Sequence, residues 1–249
     1  MIAAIIQARL GSKRLPQKIL KKINKEQTVL EYLINRLRKS SKVKKIIIAT
    51  TKNKIDDKVE IFCKKKNFIF FRGSENDVLS RYYLCAKKFG IKKIVRITSD
   101  CPLIDPKIVD KTIEMFNKKK LDYCSNTAPI VKPMWPDGSD VEVFSFKALE
   151  KAYLRCKNKH FREHVTFYFW KRKNSLFKIG QLKNMFNWSS YRFTLDYKED
   201  YKVIKFITKE LMKKKIFGYT HQIIKILDKN KNIKKINSKY FFGIGWGKK

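Results

Sequence analysis

Residues 1–18 read MIAAIIQARLGSKRLPQK: an apolar run from Ile2 to Gln7 opens into a loop that sets Arg9, Lys13, Arg14 and Lys18 around Gly11 and Ser12. A run that is apolar at nearly every position, rather than every second one, is the pattern of a strand covered on both faces, as in a parallel sheet. Parallel strands need helical crossovers, and the residues that follow supply them. Thr28-Val29-Leu30-Glu31 has the Thr-x-x-Glu spacing of a capping box, and Leu30, Leu33, Ile34 and Leu37 continue at helical spacing. The alternation then repeats. Residues 45–50 read as a second buried strand, 55–65 as a helix and 68–71 as a third strand. Ser74 is placed to cap a helix running to Lys88, which Gly90 stops, and 94–97 is the fourth strand. Asp105-Pro106 puts an N-cap aspartate before a proline at the first helical position. The pattern specifies an α/β fold with a mainly parallel central sheet flanked by helices.

Beyond Asp122 the grammar changes. Pro129, Pro133, Pro136, Asp137 and Gly138 mark a loop before strand character resumes at 141–144, and 191–196 reads as a further short strand before a helix at 199–213. No low-complexity linker and no repeat of roughly 20–50 residues interrupts the chain, so residues 1–249 are expected to form one domain.

The charge is unusual: 59 Lys+Arg against 22 Asp+Glu gives a formal +37. Such a field attracts polyanions, and a Lys-rich nucleic-acid-binding protein is one class it allows. The excess is mostly lysine, accompanied by many Ile, Asn, Phe and Tyr, the mixture an AT-rich genome imposes whatever the function. The runs at 64–66, 118–120 and 213–215 fall near helix ends, where cations suit the dipole and solvent, so no specific nucleic acid is expected. The 5 cysteines are widely spaced with no CxxC pair, which argues against a disulfide framework or zinc knuckle and for a reducing, cytoplasmic setting. No apolar run reaches the ~18 residues of a membrane span. The segment 241–247, FFGIGWG, has the look of a glycine fingerprint but no helix after it.

Ligands of doubly wound sheets bind beyond the carboxyl ends of strands, which is where the loop after the first strand lies. Gly11 lets the backbone approach a ligand, Ser12 can donate to phosphate oxygens, and Arg9, Lys13, Arg14 and Lys18 can neutralise a triphosphate. An ordinary basic surface loop is the competing reading, since this is no Walker A sequence. The fourth strand ends in RITSDCPLID, with Asp100 immediately past it, and YRFTLD at 191–196 likewise ends in Asp196. Mg²⁺ is held by one or two protein carboxylates with phosphate and water completing its shell, so two strand-end aspartates can converge on one metal. His160-Phe161-Arg162-Glu163-His164 separately matches the H-x-x-E-H pattern of an inverted zinc-peptidase motif.

Taken together, IIQARLGSKRLPQKIL at 5–20, RGSENDVLSRYY at 72–83, VRITSDCPLIDP at 95–106, WPDGSDVEVFSFKALEKA at 135–152, REHVT at 162–166 and RFTLDYKEDYKVI at 192–204 resemble the cytidylyltransferase family that makes CMP-activated acidic sugars. The likeness is to its spore-coat polysaccharide biosynthesis protein F branch, similar to CMP-Kdo synthetase and acylneuraminate cytidylyltransferase. The resemblance implies a Rossmann-like nucleotide-diphospho-sugar transferase fold. It also implies transfer of CMP from CTP to a hydroxyl of a Kdo- or nonulosonate-like acidic sugar, with Mg²⁺ as cofactor and pyrophosphate released, for surface polysaccharide biosynthesis. On that likeness Arg9, Lys18 and Asp100 are catalytic, Ala8, Gly11, Ser12, Lys13 and Arg14 hold the triphosphate, and Arg72, Ser74 and Asp77 lie near the nucleoside. Asp100 and Asp196 hold the metal. Asp137, Asp140, Glu142, Arg162, Glu163 and His164 line the acceptor side, with Arg162 gripping the acceptor carboxylate. The half 1–125 would bind nucleotide, and 126–249 would bind acceptor and supply a homodimer contact. Gln17 departs from the pattern, standing where the family places a glycine. A non-catalytic nucleotide-binding protein is the alternative on the same fold.

Overall fold

The computed structural model describes residues 1–128, 134–170 and 176–240; Pro129, Pro133 and the 241–247 tail lie outside the described residues. Strands and helices alternate from the start: β1 (Ile2–Gln7), α1 (Val29–Leu37), β2 (Lys45–Thr51), α2 (Asp57–Lys65), β3 (Phe70–Gly73), α3 (Val78–Lys88), β4 (Lys93–Thr98) and α4 (Pro106–Lys118). Then follow β5 (Tyr123–Ser125), β6 (Glu142–Ser145), α5 (Phe146–Arg155), α6 (Lys159–His164), α7 (Phe167–Trp170), β7 (Ile179–Gln181), α8 (Lys198–Lys213), α9 (Thr220–Lys229) and α10 (Lys231–Lys235).

One sheet runs β3-β2-β1-β4-β6-β5-β7. β1 pairs in parallel with both β2 and β4, while β6 is antiparallel to both of its neighbours. The chain moves outward from β1 to β3 and returns to add β4 on the other side, so the order reverses between β1 and β4. A crevice opens at such a reversal. The continuous apolar reading of β1 is met by Ala3, Ala4, Ile5 and Ile6, all 0% exposed. Their side chains alternate between two layers: Ala4 and Ile6 pack with α1 and α4, and Ala3 and Ile5 with α3 and α5. A third cluster joins α8 and α9 to Phe193 and Leu195.

The capping box at α1 is complete: Glu31 N–H donates to Thr28 Oγ1 at 3.2 Å and Thr28 N–H to Glu31 Oε2 at 2.7 Å. Three expectations shift. The third strand starts at Phe70 rather than 68, because Asn67 takes φ 53 to end α2 and Phe68 N–H returns to Cys63 O. Asp77, not Ser74, caps α3 by accepting from Ser80 N–H at 2.9 Å; Ser74 Oγ instead accepts from Asp77 N–H. Residues 191–196 are not a strand of the sheet, since β1 and β6 already occupy both sides of β4. The segment is held by an isolated bridge between Asp137 and Arg192 and by Leu195 N–H donating to Asp100 O at 2.8 Å.

Asp105 serves two helices at once, accepting from Lys107 N–H at 2.9 Å at the start of α4 and from Thr220 N–H at 2.8 Å at the start of α9. It is 4% exposed, so water cannot replace it. Asp105→Ala should cost about 2 kcal/mol by removing two helix caps and orphaning the buried Thr220 N–H, read as a fall of roughly 4–8 °C in Tm by thermal denaturation.

Candidate active site

A cleft of about 770 Å³ opens over the carboxyl ends of β1 and β4, within the range of small-molecule sites. Its first wall is the loop after β1. Leu10 anchors that loop: it is 1% exposed, and its N–H donates to Asp56 Oδ1 at 2.7 Å. Asp56 also accepts the Thr51 hydroxyl, so the loop is tied to the end of β2. Gln17 then turns the chain at φ 53, a left-handed conformation that a glycine adopts without steric cost. The turn leaves the next residue, Lys18, aimed inward.

Lys18 is 8% exposed, and its ammonium donates to Asp100 Oδ2 at 3.0 Å and Asp196 Oδ1 at 2.9 Å. Burial alone would depress the lysine, but the two carboxylates outweigh it and hold its pKa above the ordinary value. Burial likewise works to raise Asp100, yet Lys18, the Thr98 hydroxyl and a backbone N–H bring it down to about 2. Arg14 joins from the loop with Nη2 at 3.0 Å from Asp196 Oδ1. Asp100 and Asp196, 96 residues apart, therefore meet through one ammonium group.

The opposite wall carries Asp137 and Asp140. Burial raises Asp137 to about 8, and Asp140, Asp196 and Asp100 add to that against the opposing pull of Arg192. Asp140 is raised to about 6 by burial, with Thr127 and the Gly138 N–H working the other way. Between them Gly138 has φ 90, and a Cβ there would lie 2.1 Å from Thr194 N. Only glycine lets the turn pass under the 191–196 segment. Farther along, Glu142 pairs with Arg96 across β6 and β4 and accepts from Tyr123 Oη at 2.6 Å.

The cleft gathers Ala8, Arg9, Gly11, Ser12, Lys13, Arg14 and Lys18 on one side, with Asp100 and Asp196 at the floor. Asp137, Asp140, Glu142, Glu163 and His164 line the other. Four expected residues are placed elsewhere. Arg72 is spent on Glu60 and Asp57, each at 2.7 Å, and on Thr51 O, which fastens β3 to α2. Ser74 stabilises the turn before α3. Asp77 accepts from Arg162 Nε at 2.9 Å and Nη2 at 2.8 Å, and Arg162 Nη1 donates to the carbonyls of Tyr153 and Cys156. Arg162 therefore locks α5 and α6 onto α3 instead of gripping a ligand. In the zinc-type motif the His160 and His164 rings do share a face, with centroids 4.6 Å apart. Among the described residues, however, no group of three or more His, Cys, Asp or Glu side chains is placed to hold a metal, so a zinc peptidase lacks its third ligand.

Three arginines of the cleft escaped the sequence reading, among them Arg81, which is 2% exposed and donates from Nη1 to Ser74 O at 2.8 Å. Arg96 sits mid-strand in IVRIT, and a charge inside a buried strand was the available signal. Arg192 shares the RFTLD stretch with Asp196; it bonds Asp137 and donates from Nε to Asp200 Oδ1 at 2.8 Å. Its hydrogen-bond partners lie 8 and 55 residues away, so no short-range pattern marks them.

Comparison with known proteins gives a consistent result. The family model described as cytidylyltransferase matches residues 3–237. An uncharacterized protein of Methanocaldococcus jannaschii is 42% identical over 95% of this chain and 94% of its own length. The spore coat polysaccharide biosynthesis protein SpsF of Bacillus subtilis is 34% identical over 82% of this chain and 85% of its own. Among solved structures, a cytidylyltransferase from Leptospira borgpetersenii superposes with a TM-score of 0.85 at 34% identity, covering 93% of this chain and 95% of that one. More distant nucleotidyltransferases share the Rossmann-like fold.

Arg162→Ala should lower stability by about 2 kcal/mol while leaving substrate KM values within roughly twofold, as seen by paired thermal denaturation and kinetics. Gly138→Ala should cost more than about 2 kcal/mol through the forced φ and backbone overlap, visible as loss of soluble expression or a lowered Tm.

Proposed function

This chain belongs to the cytidylyltransferase family and is a nucleotidyltransferase; on that premise we propose that it transfers CMP from CTP to a hydroxyl of an acidic sugar, releasing pyrophosphate, in surface polysaccharide biosynthesis. The observation that carries the reading is the meeting of Lys18, Arg14, Asp100 and Asp196 beneath a basic loop at the β1/β4 reversal.

In-line attack of a sugar hydroxyl on the α-phosphorus forms the new O–P bond, breaks the bond to the β-phosphate oxygen that leaves with pyrophosphate, and releases the hydroxyl proton to solvent; the protein's task is positioning and charge compensation. Arg9, Lys13 and Arg14 lie on the loop side, where the triphosphate's negative charge would be met, with Ser12 as a hydroxyl donor. Lys18 faces the floor and offsets charge that builds on phosphoryl oxygens as the bond breaks. Asp100 and Asp196, now bridged by Lys18, are two oxygen donors with no third His, Cys, Asp or Glu grouped with them among the described residues, and one or two carboxylates are what Mg²⁺ takes from protein when phosphate supplies the rest. When bound there, Mg²⁺ would neutralise phosphate charge.

On the acceptor side Asp137, Asp140 and Glu163 offer acceptors to sugar hydroxyls, and His164 stacks on Phe167 with centroids 4.4 Å apart, giving that wall a flat aromatic surface. Arg96 and Arg192, each paired with a carboxylate, bring positive charge to that wall. On this reading 1–125 holds the nucleotide, and 126–249 holds the acceptor and provides the homodimer contact. Among the described residues no helix is long and apolar enough to cross a membrane.

A pyrophosphate-release assay with CTP, Mg²⁺ and a panel of acidic sugars tests the proposal. Release with one acidic sugar, reduced about 10²–10³-fold in kcat by Lys18→Ala, is the expected result. Chelation of divalent metal, Asp100→Ala or Asp196→Ala should each abolish it. CTP binding without turnover on any acceptor would favour a non-catalytic nucleotide-binding protein. Polynucleotide binding that survives those substitutions and weakens steeply with salt would favour the nucleic-acid reading.

A further inference from the structure

The described chain ends against the floor of the cleft without lining it. Asn237 is 3% exposed, and its side-chain amide donates to Asp200 Oδ1 at 2.9 Å and to Arg192 O at 3.3 Å. Asp200 is 0% exposed and is the hub of this region. It takes the Arg192 fork at 2.8 and 3.1 Å and the backbone N–H groups of Asp196 and Tyr197 at 2.9 and 3.0 Å. The backbone at Asp196 is thus held by a carboxylate whose remaining donor arrives from 37 residues away. Three residues later Tyr240 lies flat on Tyr197, with centroids 3.8 Å apart and planes 3° apart. The same Tyr197 ring carries the Arg14 guanidinium at 5.1 Å, and Arg192 lies 5.9 Å from it and 5.4 Å from Tyr240. Lys239 Nζ, 2.8 Å from Glu199 Oε1, keeps the segment against the start of α8.

We propose that residues 237–240 set the pose of Arg14 and Asp196, with Asn237 and Tyr240 as positioning residues for phosphate binding. The proposal rests on the reading of Arg14 as a phosphate-binding group. A buried carboxylate with one donor removed relaxes toward its remaining partners, and those partners include the Asp196 N–H. A tyrosine face stripped of its stacking neighbour leaves Tyr197 free to change rotamer, and the arginine over it loses a fixed cation–π platform. Both changes act on affinity at a cleft that neither residue lines. A merely structural segment would alter thermal stability and leave affinity alone.

The test is titration calorimetry of the full chain and its variants with CTP and, separately, with inorganic triphosphate, alongside thermal denaturation. Tyr240→Ala should weaken both ligands about five- to tenfold, and Tyr240→Phe, which keeps the ring, should stay within twofold of the wild-type. Asn237→Ala should behave as Tyr240→Ala does. Wild-type affinity in Tyr240→Ala, whatever its Tm, overturns the proposal. Binding of triphosphate but not CTP by the wild-type, with the same loss in Tyr240→Ala, would support the positioning role and remove the cytidine reading. A wild-type that binds neither overturns both.

Discussion

One ammonium group holds this site together. Lys18 is nearly excluded from water, and its position is bearable only because Asp100 and Asp196 meet it within 3.0 Å. The reverse also holds, since two buried carboxylates facing one another without a cation would repel. A buried ion pair of this kind contributes little net stability once desolvation is counted, so its value here is positional. It binds the loop after β1, the end of β4 and the segment before α8 to one point, and the rest of the cleft is arranged around it.

The same logic extends outward through Arg192. That arginine is 4% exposed along its side chain and answers Asp137, Asp196 and Asp200. It keeps the acidic wall from becoming a set of unpaired carboxylates, and it connects the floor with the wall that carries Asp137. The formal charge of +37 obscures this economy. Most described lysines are exposed, whereas Arg14, Lys18, Arg96 and Arg192 in the cleft are each matched to a carboxylate, a role that suits the planar fork of arginine.

Legibility in the sequence followed the range of the interactions. The β1 run, the Thr28–Glu31 capping box and the Asp105-Pro106 helix start were readable because each is settled within a few residues. The pairing of Asp100 with Asp196 was readable as a coincidence of context, two aspartates closing similar stretches. Arg72, Asp77 and Arg162 stood in blocks with a strong family likeness and yet serve α2, α3, α5 and α6 as fasteners. A charged residue in a recognisable block reports that its place matters, and does not say whether a ligand or another helix claims it. Gln17 gave no such signal, and only the structure shows it turning the chain at φ 53.

By itself the sequence determined the alternation of strand and helix, the mainly parallel sheet, the basic loop at its first carboxyl end and the two aspartates that close similar stretches. These are local propensities and periodicities, which short stretches carry within themselves. Only the tertiary structure decided that 191–196 stays out of the sheet, that Lys18 bridges both aspartates, that Arg192 and Asp200 support one of them, and that the last described residues reach back to the floor. Those outcomes depend on which partners have already been taken by other parts of the chain, and that competition is settled only when all of them are brought into one space.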